Sequence, residues 1–139
     1  MLFVVLTRAA GSVHRMLQGR VDLHNLTLTE FEIMEVLFHK GPLLLGDVQK
    51  RILLSSGGVT YTVDRLVDKG LVERRECPTD RRARYAALTP RGEALIAEIF
   101  PGHVEHIQEA MSVLTAREQD AVIDTLRRLG LSAAAKTEH

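Results

Sequence analysis

The 139-residue chain is 45% apolar and 26% charged, the balance of an ordinary globular protein. Its 18 basic and 18 acidic residues cancel, and no apolar run approaches the about 18 residues of a membrane span. The single cysteine, Cys77, excludes an intrachain disulfide and fits a reducing cytoplasm, and the length suits one hydrophobic core.

Residues 2 to about 20 are expected to form a helix, because Phe3, Leu6, Ala10, Val13 and Leu17 recur at spacings of three and four. The apolar start Leu2–Leu6 has no basic segment before it and is followed by Arg8, so it reads as part of a helix face rather than a secretion signal. A loop is expected from Asp22 to Leu28. Thr29 with Glu32 then spells a capping box, with Leu28 stapling onto Ile33, and the helix continues through Met34, Leu37 and Phe38. Lys40-Gly41-Pro42 stops it. Leu43–Leu45 reads as an extended link, and Asp47–Leu53 as a short helix. Ser55-Ser56-Gly57-Gly58 breaks the pattern and supplies a cap.

A further helix is predicted to run to Lys69, with Gly70 as its left-handed terminator. Val59, Val63, Leu66 and Val67 face inward in this reading, leaving Gly57, Thr60, Tyr61, Asp64 and Asp68 outside. Leu71–Glu76 and Arg84–Leu88 are two extended runs around the turn-forming segment Cys77–Arg82, which together predict a β-hairpin with a protruding tip. Thr89-Pro90 opens a long helix carrying Ile96, Phe100, Val104, Ile107 and Met111 in phase, with a kink or break expected at Pro101. Thr115 with Glu118 caps a last helix through Val122, Leu126 and Leu129, and the tail from Ser132 is expected to fray. The fold class is therefore mainly α with a small β-hairpin wing.

The zero net charge conceals a local excess. Between Arg74 and Arg91 stand six arginines against only Glu76 and Asp80. Arginine's planar fork of donors suits phosphate and groove contacts, so the stripe is an electrostatic footprint for nucleic acid. The order helix, short helix, helix, hairpin is that of a winged helix-turn-helix. Ser55, Ser56 and Gly57 offer hydroxyls and backbone N–H groups at a helix N-terminus, an anion site. Thr60, Tyr61 and Asp64 project towards base edges in a major groove. Asp64 could accept from a cytosine amino group or buttress Arg65 or another arginine, and the buttress is preferred. Arg84 has the alternative of pairing with cross-strand Glu76.

Three motifs in order resemble the multiple antibiotic resistance regulator (MarR) family over nearly the whole chain. Asp80-Arg81-Arg82 followed by Leu88-Thr89-Pro90-Arg91-Gly92 resembles the family's wing signature, Asp-x-Arg leading to Leu-Thr-x-x-Gly. Ser56-Gly57-Gly58-Val59-Thr60 with Asp64-Arg65-Leu66 and Lys69-Gly70-Leu71-Val72 is similar to its recognition helix and exit. Leu26-Thr27-Leu28-Thr29 with Phe31 is similar to the entry to its second helix.

The resemblance implies one domain over 1–139, with the winged helix-turn-helix at 28–90 and dimerisation helices at 1–24 and 91–131. It also implies a homodimer on double-stranded DNA, Arg82 in the minor groove with Asp80 holding its guanidinium, and a repressor released by a small molecule or by oxidation. The DNA-facing set is then Ser55, Ser56, Gly57, Thr60, Tyr61, Asp64, Arg65, Asp80, Arg81, Arg82 and Arg84.

An effector would sit between the dimerising helices and the winged unit, where His14, Met16, Met34 and Phe38 are candidate lining residues. Cys77, placed at the root of the wing, reads as an apolar filler, with redox sensing as the alternative. His103 and His106 lie three apart near Glu105 and Glu109, but no second ligand cluster completes a metal site, and no cofactor is expected. No glycine-rich phosphate loop or nucleophile–base pair points to an enzyme. The alternative from another class is a winged-helix protein-interaction module that does not read DNA.

Overall fold

The computed structural model describes residues 1–52 and 56–137, and the side chains of Ser56 and Arg81 also lie outside the description. Its elements are α1 (Leu2–Val21), a 3-10 turn (Asp22–His24), α2 (Leu28–Lys40), β1 (Leu43–Leu44), α3 (Leu45–Ile52), α4 (Ser56–Asp68), β2 (Val72–Cys77), β3 (Asp80–Leu88), α5 (Pro90–Met111) and α6 (Ala116–Ala135). The chain divides into two compact units, Met1–Val104 and Glu105–His139. No helix among the described residues is long and apolar enough to cross a membrane. The architecture is mainly helical with a small antiparallel sheet, as the sequence predicts.

Several boundaries differ from expectation. Helix α2 is capped by Thr27, not Thr29: the Thr27 hydroxyl accepts from the Glu30 N–H at 3.0 Å, and Glu30 Oε1 accepts from the Thr27 N–H at 3.1 Å. Two Thr-x-x-Glu boxes overlap in this stretch. The earlier one places Leu26 and Phe31 at the staple positions, both buried, and seats Glu30 against Lys69. Leu43–Leu44 is a strand rather than a bare link, because Leu43 pairs with Ala86 and Leu44 with Tyr85, giving a three-stranded sheet in the order β1-β3-β2. Helix α5 continues through Pro101, whose missing N–H forfeits one bond towards the Ala97 carbonyl without ending the element. Helix α6 runs through Ser132 to Ala135 rather than fraying there.

The core of the first unit gathers Phe31, Ile33 and Met34 of α2, Val48 of α3, Val59, Val63 and Leu66 of α4, Val72 and Ala86 of the sheet, and Ile96 of α5. The buried face of α5 is Gly92, Ile96, Ile99 and His103, a four-three-four spacing that shares only Ile96 with the apolar stripe read from sequence. Gly92 is required there: a Cβ would stand 2.0 Å from the Leu71 carbonyl oxygen. Thr89 locks the same corner, donating to the Gly70 carbonyl at 2.7 Å and accepting from the Gly92 N–H at 3.0 Å. Gly70 itself has φ +75, so the exit from α4 is the left-handed turn that favours glycine.

In the second unit, Thr115 and Glu118 form the expected capping box at the start of α6. Val122, Ile123, Leu126 and Leu129 lie along that helix and remain more than two-fifths exposed. Phe3, at the start of α1 in the first unit, is 78% exposed. The exposed apolar residues along α6, spaced at helical turns, are the kind of surface that marks an interaction face.

Candidate nucleic-acid interface

Helix α4 is positioned by its inward residues. Val59, Val63 and Leu66 are buried at spacings of four and three, which turns Gly57, Thr60, Tyr61, Asp64, Arg65 and Asp68 to the surface. Tyr61 is 63% exposed, a large aromatic held outside the core. Arg65, one turn on, lies with its guanidinium 5.9 Å from the Tyr61 ring centroid, a cation–π spacing that gives the two side chains a common orientation. Thr62, which the sequence reading did not single out, is buried and satisfies its hydroxyl on the Gly58 carbonyl at 2.8 Å. Gly58 thus lies inside the helix, and α4 begins at Ser56. Ser55 lies outside the described residues.

The wing is longer and its tip tighter than expected. Strands β2 and β3 pair from Val72 opposite Leu88 to Glu76 opposite Arg84, and again at Cys77 opposite Asp80 across an irregularity. Only Pro78 and Thr79 remain as the turn, so Arg81 and Arg82 belong to β3 rather than to a loop. The register leaves residues 81–83 over, so the pairing is irregular just beyond the tip. Arg82 is exposed and makes no ion pair or side-chain hydrogen bond among the described residues. Asp80 accepts from the Arg82 backbone N–H at 2.9 Å, so it braces the strand rather than gripping the guanidinium. Arg84 lies 3.8 Å from Glu76, the cross-strand pairing read as its alternative.

One contact joins helix to wing. Asp64 on the outer face of α4 forms an ion pair with Arg74 on β2. The buttress reading of Asp64 thus has its partner, although the arginine is Arg74, not Arg65. Sequence spacing could not reveal it, since the pair is ten residues apart and crosses the α4–β2 turn. Arg75 is engaged with neighbouring Glu73 at 2.7 Å.

Cys77 sits at the tip of the wing rather than its root, because the turn is only two residues long. Its sulfur lies 3.3 Å from Thr79 Oγ1, and hydrogen bonding from Thr79, with Tyr85 adding a smaller share, holds the thiol below its ordinary pKa. Of the four residues read as effector lining, Met34 is wholly buried in the core, His14 is exposed and Met16 half-buried. Phe38 lines a cavity of about 190 Å³ with Leu37, Pro42, Leu88 and Glu93, and none of the other three lines it. That cavity includes one of the four. His103 packs its ring against Phe31 at 4.4 Å, and among the described residues no three His, Cys, Asp or Glu side chains cluster as metal ligands.

The sequence profile of the MarR family matches residues 26–83, which span α2 to the wing. The HTH-type transcriptional regulator MhqR of Bacillus subtilis (strain 168) is 42% identical over 132 residues, covering 95% of this chain and 91% of its own length. The chain belongs to the MarR family. Among solved structures, a mutant MarR of E. coli complexed with operator DNA superposes with a TM-score of 0.86 at 24% identity, covering 92% of each chain. BpsR of Bordetella bronchiseptica, whose DNA binding is regulated by 6-hydroxynicotinic acid, gives a TM-score of 0.86 at 27% identity, covering 94% of this chain and 93% of its own. As a MarR-family protein the chain is a DNA-binding transcriptional regulator of winged helix-turn-helix type.

Proposed function

We propose that this MarR-family regulator is a cytoplasmic, non-enzymatic homodimer that represses transcription from a pseudo-palindromic operator and leaves it when a small effector binds. The single observation that carries the reading is the Asp64–Arg74 ion pair, which ties the exposed face of α4 to the wing. Thr60, Tyr61 and Arg65 of α4 then enter the major groove, while Arg82 reaches the adjacent minor groove, whose negative potential attracts an unpaired guanidinium. Gly57 lies over phosphate at the N-terminus of α4, a role the sequence also gives to Ser55 and Ser56, and Arg81 and Arg84 add to the charge of the wing. Asp80 contributes through the wing's shape. Residues 28–90 form the reading unit, while 1–24 and 91–131 supply the self-association surfaces. The exposed apolar residues of α1 and α6 support that assignment. The 6-hydroxynicotinic acid of BpsR makes a small organic acid a reasonable class of effector.

Arginine contacts to phosphate release counterions, so binding to any duplex should weaken steeply as salt rises. Tyr61→Ala should cost about 1–3 kcal/mol on the preferred operator and much less on random duplex. Arg82→Ala should weaken binding to both and reduce the slope of log affinity against log salt by about 1. Fluorescence anisotropy over a salt series measures both effects. Equal losses for Tyr61→Ala on specific and random duplex would remove α4 from base reading, and an unchanged salt slope for Arg82→Ala would remove the wing.

A further inference from the structure

Helix α4 turns Gly57, Thr60, Tyr61, Asp64, Arg65 and Asp68 to the surface, yet these residues are not equally suited to reading bases. Gly57 has no side chain, and Thr60 is short and already engaged within the chain. Asp64 is held by Arg74 of the wing, so its carboxylate is committed before a cytosine amino group can claim it. Asp68 is the last residue of the helix, at the opposite end from the turns that enter a groove first. Tyr61 and Arg65 are left.

These two side chains act as one unit. Both are exposed, they stand one helical turn apart, and neither makes an ion pair or side-chain hydrogen bond among the described residues. The Arg65 guanidinium carbon lies 5.9 Å from the Tyr61 ring centroid. That is the outer edge of the range, about 6 Å, over which an aromatic face attracts a cation. Such a contact orients the guanidinium without consuming its fork of N–H donors, which stays available for a planar pair of acceptors. The helix rises about 6 Å between the two residues, against about 3.4 Å per base pair. Bases touched by both therefore lie within two steps of each other.

We propose that Tyr61 and Arg65 jointly read a guanine and a thymine no more than two base pairs apart in each half-site. Arg65 donates to guanine O6 and N7, two adjacent acceptors that match its fork, and the Tyr61 ring covers the thymine methyl, the apolar group of the major groove. The Tyr61 hydroxyl has no part in this contact. The inference rests on the reading of α4 as the major-groove helix proposed above.

Duplexes selected from a random pool by the native chain should carry both bases at this spacing. In the selected operator, deoxyuridine in place of thymidine removes only the methyl, and should weaken native binding by about threefold or more. Replacing the guanine by 7-deazaguanine removes only the N7 acceptor, and should weaken it by about fivefold or more. Fluorescence anisotropy reads both. Arg65→Ala should bind the guanine and 7-deazaguanine operators alike, and Tyr61→Ala should bind the thymidine and deoxyuridine operators alike. Tyr61→Phe, which keeps the ring, should respond to deoxyuridine as the native chain does. Since both positions are exposed, all three variants should keep the native thermal midpoint, which separates lost reading from lost fold.

A selected operator without guanine and thymine at this spacing, or an analogue that leaves native binding unchanged, would overturn the joint reading. So would an Arg65→Ala protein that still distinguishes 7-deazaguanine, because another residue would then hold the guanine. A Tyr61→Phe protein blind to the thymine methyl would overturn the role of the ring. Failure of the pool to return any sequence would bring down the DNA reading itself, and this inference with it, whereas the other contrary results bring down the inference alone.

Discussion

Lys69→Met should destabilise the fold by about 3–5 kcal/mol, because it leaves a carboxylate in the interior without its cation. Glu30 is wholly buried, and its partner ammonium lies 2.7 Å away. The same carboxylate accepts from the Thr27 N–H that begins α2. Replacing both members as Glu30→Gln/Lys69→Met should recover most of the loss, since glutamine keeps an acceptor for the cap and no charge remains to be desolvated. Urea unfolding of the three proteins measures the difference. A single variant that loses under about 1 kcal/mol would mean that water reaches Glu30.

The pair also has a pH signature. Burial by itself raises the Glu30 pKa, but the Lys69 ammonium and the hydrogen bonds from Thr27 outweigh it and hold the group below its ordinary 4.5. A carboxylate lowered in the folded state contributes stability that is present above its unfolded pKa and lost as pH falls through the folded one. The native chain should therefore lose stability below about pH 4.5 faster than the double variant does. Glu118, lowered by its own Thr115 cap, and Glu32, raised by burial, are common to both proteins and cancel in the comparison.

The second large effect is expected at Phe31→Ala, about 3–5 kcal/mol from lost burial and the cavity left behind. Phe31 is fully buried in the central cluster and carries the His103 ring at 4.4 Å, so truncation removes contacts from α2 and α5 together. Against a total of about 5–15 kcal/mol for a typical domain, a loss of this size populates the unfolded chain. Operator binding should then fall with the folded fraction, and lowering the temperature or urea concentration should restore it in parallel. Phe31→Leu should cost distinctly less, because it keeps most of the volume. A Phe31→Ala protein as stable as the native chain would show that neighbouring side chains refill the site.

The elements whose ends are set by local chemistry were legible from the sequence. Lys40-Gly41-Pro42 ends α2, Gly70 ends α4 and Thr115 with Glu118 opens α6, each through groups within a few residues of the boundary. Features decided at a distance were not. Leu43 and Leu44 become a strand only because Ala86 and Tyr85 arrive beside them. The choice between the Thr27 and Thr29 boxes depends on where Lys69 lies, nearly forty residues further on. The buried face of α5 eluded an apolar count because Gly92 and His103 occupy it, one for lack of a side chain and the other for an aromatic partner.

The candidate interface divides in the same way. The exposed face of α4 followed from its period, and the arginine stripe from composition, whereas the short tip that moves Cys77 outward and the Asp64–Arg74 bridge required the folded hairpin.

The central claim is that α4 and the wing form one DNA-reading side, presented twice by a symmetric pair. Hydroxyl-radical footprinting on a duplex selected from a random pool tests it most directly. Two equivalent protected stretches related by two-fold symmetry, with centres about 10 base pairs apart, are the expected result. A single protected patch, or failure of the pool to yield any preferred sequence, would contradict it.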